Sequence, residues 1–205
     1  MTSRPDLIGD TAIALLAERG LRGLTHRAVD EAAGLPPGST SNHARTRTAL
    51  LETTFARLCR LEAEVFENAA NPEGLLALPR LSPELAADLV ATQLHDTLTV
   101  RRDQLLARFE LALEATRRPE LRTIYDTAGR TFREPARSLM AALGTPDPDR
   151  NSRSFIAWSE GLMFDSVAGA GNREVPSRTE IRDGLIELFH GMMEDRKPSP
   201  PPERP

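Results

Sequence analysis

The chain has 205 residues, of which 40% are hydrophobic and 27% charged, and its net charge is −4. These values are typical of a globular protein with a hydrophobic core and exclude a chain that is disordered throughout. Residues 1–60 contain eight Arg against six Asp or Glu, whereas residues 61–205 contain 18 Lys or Arg against 24 acids. This uneven charge excludes a protein that coats nucleic acid along its whole surface, but it permits a local contact with DNA by the first part.

The cellular compartment is indicated by features that the sequence lacks. Cys59 is the single cysteine, so an intrachain disulfide is excluded. The start of the chain has no basic segment followed by an apolar one, and no run approaches the roughly 18 apolar residues of a membrane span. We therefore expect a cytoplasmic protein that does not associate with a membrane.

Three helices are predicted near the start of the chain. Residues 7–19 have apolar side chains at helical spacing, and Gly20 interrupts this pattern. Thr25 can cap the next helix, because its hydroxyl can accept a hydrogen bond from a backbone N–H of the first turn. Gly34 stands where a left-handed residue would end that helix, and the fixed φ of Pro36 suits the opening of a third. The sequence therefore predicts two helices joined by a tight turn, preceded by one more.

The last of these three helices, from about residue 36 or 37 to His43, offers almost nothing to a core. Residues 39–43 are small or polar and form no apolar stripe. A helix of this composition suits the contact with base edges in a DNA major groove. Asn42 is the strongest candidate for such a contact, because its amide can form two hydrogen bonds with adenine.

The stretch AERGLRGLTHRAVDEAAGLPPGSTSNHARTRTALL resembles the DNA-binding region of the tetracycline-repressor-like (TetR) family of transcriptional regulators. Several spaced features agree over about the first quarter of the chain, which makes the resemblance more specific than any single motif. These features are a Gly-bounded first helix, the Thr25-x-Arg27 opening, Ala32-Ala33-Gly34-Leu35, Gly38-Ser39, and Arg47 ahead of Ala49-Leu50-Leu51.

The resemblance implies a set of DNA contacts and a kind of operator. It implies that Thr25, His43 and Arg47 hold phosphates and that Arg27, Thr40, Ser41 and Asn42 lie nearest the base edges. Members of the family usually carry aromatic residues in this helix and a Phe after the His, whereas this chain has Ser41 and Asn42, then Ala44. We therefore expect a palindromic double-stranded operator that differs from those of aromatic-rich relatives. The two recognition helices of a dimer would enter successive major grooves about 34–36 Å apart.

The rest of the chain is helical in pattern. Few β-branched or aromatic residues alternate at period two, and we predict an all-α fold. The domains are an N-terminal three-helix helix-turn-helix DNA-binding domain at 1–48, a C-terminal helical ligand-binding and dimerisation domain at 49–195, and a Pro-rich disordered tail at 196–205. Pro135 should kink or interrupt its helix, and residues 71–82 should form a loop. Helices are predicted at about 47–70, 83–99, 103–117, 119–143, 152–169 and 178–195.

The last two predicted helices each carry a wide apolar stripe. Periodicity alone does not show whether such a stripe faces the core of its own chain or a second copy. The resemblance favours a second copy, because TetR-like proteins dimerise through their last two long helices, and we expect a homodimer. The expected interface residues are Phe155, Leu162, Ile181, Leu185, Leu188 and Met192.

Large side chains in the middle of the chain are candidates for a small-molecule site. Glu110 and Glu114 lie near them in sequence as polar anchors, although any one of these residues could equally be core or solvated surface. The resemblance implies a ligand-responsive regulator, and we expect a repressor that leaves its operator when a small, largely apolar molecule binds. The identity of this effector is not encoded in any motif. The candidate ligand-binding residues are Phe109, Leu113, Tyr125, Phe132 and Trp158.

A helical-bundle enzyme or di-iron protein is the competing class. Glu187-x-x-His190 has the spacing with which di-iron bundles direct two ligands inward, but such a site requires a second pair. The residues three before His26, His43 and His95 are Gly23, Thr40 and Thr92, so the second pair is missing. No GxSxG, HExxH, Walker or CxxC pattern occurs either. We therefore expect no catalytic residues, no metal and no cofactor.

Overall fold

A computed structural model describes residues 3–68 and 81–194, and its regular structure in these ranges is entirely α-helical. The all-α prediction is confirmed. The predicted tail and all but the last two residues of the predicted loop lie outside the described residues. The helices are α1 (Arg4–Gly23), α2 (His26–Ala32), α3 (Ser39–His43), α4 (Arg47–Asn68), α5 (Pro83–Thr99), α6 (Arg102–Ala115), α7 (Pro119–Ala142), α8 (Pro148–Val167) and α9 (Arg178–Met193).

Most of the described helices begin at a residue whose side chain caps the first turn. The side chains of Ser82, Asp147 and Ser177 accept hydrogen bonds from backbone amides in the first turns of α5, α8 and α9. Helix α8 therefore starts earlier than residue 152, because Pro148 takes the first helical position behind the Asp147 cap. Helix α7 runs through Pro135 without the expected interruption.

The turn between α2 and α3 has the predicted geometry. Gly34 has φ 63°, a left-handed conformation that favours glycine. The amide of Leu35 donates to the carbonyl of Asp30 at 2.8 Å, and the amide of Gly34 donates to that of Glu31 at 3.3 Å. These two bonds satisfy the last carbonyls of α2 and direct the chain sharply into α3. Helix α1 has a similar break at Gly20, where φ is 63°.

The first of two hydrophobic cores joins the N-terminal helices to the rest of the chain. Leu16, Leu24 and Leu51 are buried in it. The same core contains Ala107, Leu111 and Ala115, which lie one turn apart on a single face of α6. Since α6 packs along α1, the boundary proposed at residues 48 and 49 falls inside a packed unit.

The second core lies among α5, α6, α7, α8 and α9. Leu105 from α6 and Phe189 from α9 are buried in it, and the Phe189 ring lies 5.9 Å from that of Phe155 on α8. Helix α6 thus contributes to both cores. Among the described residues, no helix is both long enough and apolar enough to cross a membrane.

Candidate nucleic-acid interface and effector site

The outer face of α3 carries three of the seven side chains expected to contact DNA. Ser41, Asn42 and His43 are exposed. Thr40 is fully buried, so its side chain, contrary to the expectation of a base contact, cannot reach a base edge. The pattern of small polar residues gave no means to distinguish Thr40 from its neighbours.

The start of α2 presents two more of the predicted DNA-contact residues. Thr25 is exposed and its hydroxyl accepts a hydrogen bond from the amide of Ala28 at 3.1 Å, as the sequence predicts for an N-cap. Arg27 is also exposed, and no ion pair is found for it within residues 3–68 and 81–194. Its guanidinium is free to meet a phosphate or a base.

Arg47, an expected phosphate contact, makes hydrogen bonds within its own chain. Its guanidinium donates hydrogen bonds to the carbonyl oxygens of Leu24 and Leu21, at 2.6 and 2.5 Å, and so ties the start of α4 to the end of α1. Arg45, two residues earlier, is exposed and has no ion pair in the part of the chain that the structure describes. Arg45 is therefore the freer cation next to α3, and no sequence pattern distinguished it from Arg47.

Two residues of α2 hold α3, and the sequence interpretation missed both. The Asp30 side chain is buried, and its two oxygens accept hydrogen bonds from the amides of Gly38 at 2.7 Å and Thr40 at 2.8 Å. Burial opposes the charge on Asp30, but hydrogen bonds from Thr40 and Gly38 hold its pKa below the ordinary value. At the other end of α3, His26 Nε2 lies 2.7 Å from the carbonyl oxygen of Ala44. The spacing of His26 and Asp30, one helical turn apart on α2, was the only feature of the sequence that could have indicated their shared role.

The predicted ligand-binding side chains that the structure describes contact different partners. The Tyr125 ring stacks on Phe55 of α4, with centroids 5.8 Å apart and planes at 3°. The Phe109 ring instead meets the edge of Phe164 on α8, at 5.3 Å and 81°. Leu113 is 58% exposed. The side chain of Phe132 lies outside what the structure describes.

Trp158, another residue of that set, packs against the second core. It packs across α9 at Gly184, where an added Cβ would lie 3.1 Å from Cζ2 of the tryptophan ring. Gly184 therefore allows the bulky ring to sit between α8 and α9. The Trp158 ring therefore contributes to the packing of α8 against α9.

A charged cluster of Glu62, Arg108 and Glu160 joins α4, α6 and α8. The predicted polar anchors Glu110 and Glu114 are not part of it. Arg108 donates to both carboxylate oxygens of Glu160, at 2.8 and 3.2 Å, and its Nε lies 3.6 Å from Glu62. Its guanidinium carbon also lies 5.1 Å from the centre of the Phe109 ring. The expected anchor Glu114 is instead paired with Arg118, the N-cap residue of α7.

The charges in this cluster are unequal. Burial raises the pKa of Glu62 to about 7, although Arg108 counteracts it, and burial also raises the pKa of Tyr125 nearby. With both carboxylates ionised, one guanidinium faces two negative charges. Sequence patterns could not have revealed the cluster, because its members come from three distant helices.

The residues expected at a dimer interface divide into two groups. Ile181, Leu185 and Met192 are buried in the second core of their own chain, so they do not present a surface to a second copy. Phe155, Leu162 and Leu188 are half-buried. The stripe on α9 was ambiguous from sequence, and the structure places its most apolar side against α5.

The outer face of α8 and α9 contains an open groove of about 450 Å³. Arg150 and Ser154 line it from α8, and Leu188 and Gly191 line it from α9. Phe164, farther along α8, is 47% exposed. This face combines small residues with apolar side chains that their own chain leaves partly uncovered.

The candidate metal pair of the competing class is Glu187 and His190 on α9. His190 Nε2 lies 3.7 Å from Glu84 of α5, and Glu187 points to the groove on the outer face. Within the two described ranges, no group of three or more His, Cys, Asp or Glu residues is placed to hold a metal ion.

Comparison with known proteins identifies the family. Residues 81–191 match the model of the tetracyclin repressor-like C-terminal domain. The chain belongs to the TetR family. A sequence comparison with curated proteins gives no match.

Solved structures share the fold over most of the chain. A TetR-family member from Streptomyces coelicolor A3 is 25% identical, with a TM-score of 0.68 over 91% of this chain and 98% of that one. The multidrug binding protein EbrR, solved with imidazole, is 26% identical, with a TM-score of 0.64 over 92% and 96%. A transcriptional regulator from Rhodococcus sp. Rha1 has a TM-score of 0.76 over 93% and 96%, and its 18% identity shows the fold alone. This TetR-family chain is thus a helix-turn-helix transcriptional regulator.

Proposed function

We propose that this TetR-family regulator is a homodimeric repressor that binds a palindromic operator and leaves it when a small molecule binds the body. The observation that carries the proposal is the exposed face of α3. Asn42 is exposed in the middle of a polar helix whose opposite side is anchored to α2 through Asp30 and Thr40. A helix held in this way can present the side-chain amide of Asn42 to a base edge in a fixed orientation.

Replacing Asn42 with Ala should relax the base preference at one operator position per half-site. The amide can form two hydrogen bonds with adenine, and their loss should cost about 1–3 kcal/mol of discrimination at that position. The measurement is fluorescence anisotropy with the operator from the regulator's own upstream region and with its single-base variants. Asn172→Ala, which removes an exposed amide between α8 and α9, is the matched control. Unchanged preference at every position in Asn42→Ala would contradict the assignment.

Arg45 rather than Arg47 should account for a phosphate contact. Arg45→Ala should weaken binding to all DNA sequences alike and reduce the slope of log affinity against log salt by roughly one. Arg47→Ala should leave this slope unchanged but lower the melting temperature, because the carbonyls of Leu21 and Leu24 lose their donors. Salt titrations of binding and thermal melts separate the two roles. An equal loss of slope in both variants would restore Arg47 as a phosphate contact.

The proposed dimer uses the outer face of α8 and α9. Its groove and the partly exposed Phe164 offer apolar surface that a second copy would cover. Gly161 and Gly191 face open space there, so the helices of two copies can approach closely. Leu188 lines this groove and remains part of the proposed interface.

The proposed effector site is the neighbourhood of Glu62, Arg108 and Glu160. Two carboxylates share one guanidinium beside the rings of Phe109 and Tyr125, which favours a molecule with an aromatic body and a positive charge. The related protein EbrR has been solved with proflavin and with ethidium. The effector proposed from the structure is therefore an aromatic cation, whereas the sequence led us to expect a largely apolar molecule.

The route from this site to DNA would run through two helices. Helix α4 carries Glu62 near its end and contributes to the first core at its beginning, and α6 carries Arg108 while packing into both cores. A ligand that displaces Arg108 from its carboxylates would act on both helices together. For this to release the operator, the ligand must bind the free and DNA-bound forms with different affinities.

A further inference from the structure

We propose that Asp30 and His26, one turn apart on α2, are positioning residues that clamp the two ends of α3 and so set the base preference of the regulator. This inference rests on the proposed contact of α3 with base edges. Neither side chain would contact DNA. Both would act by fixing the rotation and tilt of the helix that does.

The first end of α3 needs an acceptor from elsewhere in the chain. Helix α3 has five residues, too few to be stable alone, and its N-cap Gly38 offers no side chain to its free amides. The buried Asp30 carboxylate accepts hydrogen bonds from the amides of both Gly38 and Thr40. It therefore does the work of an N-cap from the neighbouring helix.

The second end of α3 needs a donor. His26 Nε2 lies 2.7 Å from the carbonyl oxygen of Ala44, which is the residue that follows α3 and is itself buried. The ring donates this hydrogen bond as the neutral Nε2–H tautomer and also when protonated. Because His26 and Asp30 lie on the same face of α2, one rigid helix holds both ends of α3.

The clamp formed by Asp30 and His26 should affect specific binding to the operator more than non-specific binding to DNA. Phosphate contacts by Arg27 or Arg45 tolerate a small rotation of α3, because a guanidinium on a flexible stem can follow a phosphate. The two hydrogen bonds of the Asn42 amide with adenine do not tolerate it. Loss of the clamp should therefore reduce affinity for the operator while affinity for unrelated DNA is kept.

The test compares Asp30→Asn with Glu31→Gln, its exposed neighbour on α2. Both substitutions remove one negative charge from the DNA-binding part, which by itself strengthens binding to any DNA. Glu31→Gln should therefore bind operator and unrelated DNA slightly more tightly than wild type. Asp30→Asn should instead lose about ten- to a hundredfold in operator affinity, while its binding to unrelated DNA becomes slightly tighter, as in Glu31→Gln. An unchanged ratio of operator to unrelated binding in Asp30→Asn would overturn the proposal.

Amide hydrogen exchange gives a readout that does not depend on DNA. In Asp30→Asn the amides of Gly38 and Thr40 should exchange faster, whereas that of Leu51 in α4 should not change. His26→Gln keeps a donor for the Ala44 carbonyl and should preserve the affinity ratio, whereas His26→Ala should lower it. If Asp30→Asn unfolds the first core, the two His26 variants decide, and equal ratios in both would reject the clamp. Wild-type protein that prefers no sequence would instead reject the proposed function.

Discussion

Replacing Gly161 with Arg should turn the regulator into a monomer and weaken operator binding by about 10²–10⁴-fold. A Cβ at Gly161 meets no atom within 4 Å in its own chain, and the position is exposed on α8, so the protomer should fold normally. In the proposed dimer the same side chain would place an unpaired charge between two copies. Operator affinity would fall because two linked recognition helices bind far more tightly than one.

Gly129→Arg is the matched control for this substitution. Gly129 lies on α7 and also faces open space, but it is not on the proposed interface. Analytical sedimentation at micromolar concentration should give a dimer for wild type and Gly129→Arg and a monomer for Gly161→Arg. A wild-type monomer, or a dimeric Gly161→Arg, would reject the interface. Leu185→Asp is unsuitable for this test, because Leu185 is buried in its own chain and its loss would unfold the body.

Replacing Glu62 with Gln should stabilise the protein at pH 8 but not at pH 4. Burial raises the pKa of Glu62 to about 7 from its ordinary 4.5. Between these values the unfolded chain has lost a proton that the folded chain retains, so the contribution of Glu62 to stability falls as pH rises and levels off above 7. Glutamine does not ionise. The free energy of unfolding of the variant minus that of wild type should therefore grow by up to about 3 kcal/mol over this range.

Urea unfolding at pH 4, 6 and 8 measures this difference, and Glu52→Gln controls for the loss of a charge from α4. A difference that does not change with pH would show that Glu62 is well solvated. The same carboxylate should govern binding of a cation, because a bound positive charge favours its ionised form. Ethidium should bind wild type more tightly at pH 8 than at pH 6. Equal binding of ethidium by Glu62→Gln would remove Glu62 from the effector site.

The secondary structure was predictable because its signals are local. Thr25 as a cap and Gly34 as a left-handed residue depend on the few residues around them, and the structure has both. The start of α8 was placed too late, because apolar periodicity was given more weight than the Asp147 and Pro148 cap. Periodicity marks the middle of a helix better than its first turn.

The candidate sites were predictable only where one segment contains the whole of a site. The exposure of Asn42 was predictable because α3 is a single short polar run. The cluster around Arg108 combines residues 46 and 52 positions away in sequence, which no periodic pattern connects. The burial of Thr40 and the hydrogen bonds of Arg47 within its own chain were missed for the same reason, since their partners Asp30 and Leu21 lie on other elements. The composition of a segment shows which side chains it carries, but not which of them form hydrogen bonds with other elements in the folded chain.

The sharing of α6 between the two cores means that the DNA-binding part of this protein is not a detachable module. Ala107, Leu111 and Ala115 are buried in the same core as Ile8 and Leu16 of α1. A chimera that joins this part to the body of another regulator would have to reproduce two small side chains and one large one at a one-turn spacing. Recombination between relatives should therefore preserve α1 and α6 as a matched pair, even where their operators and effectors diverge.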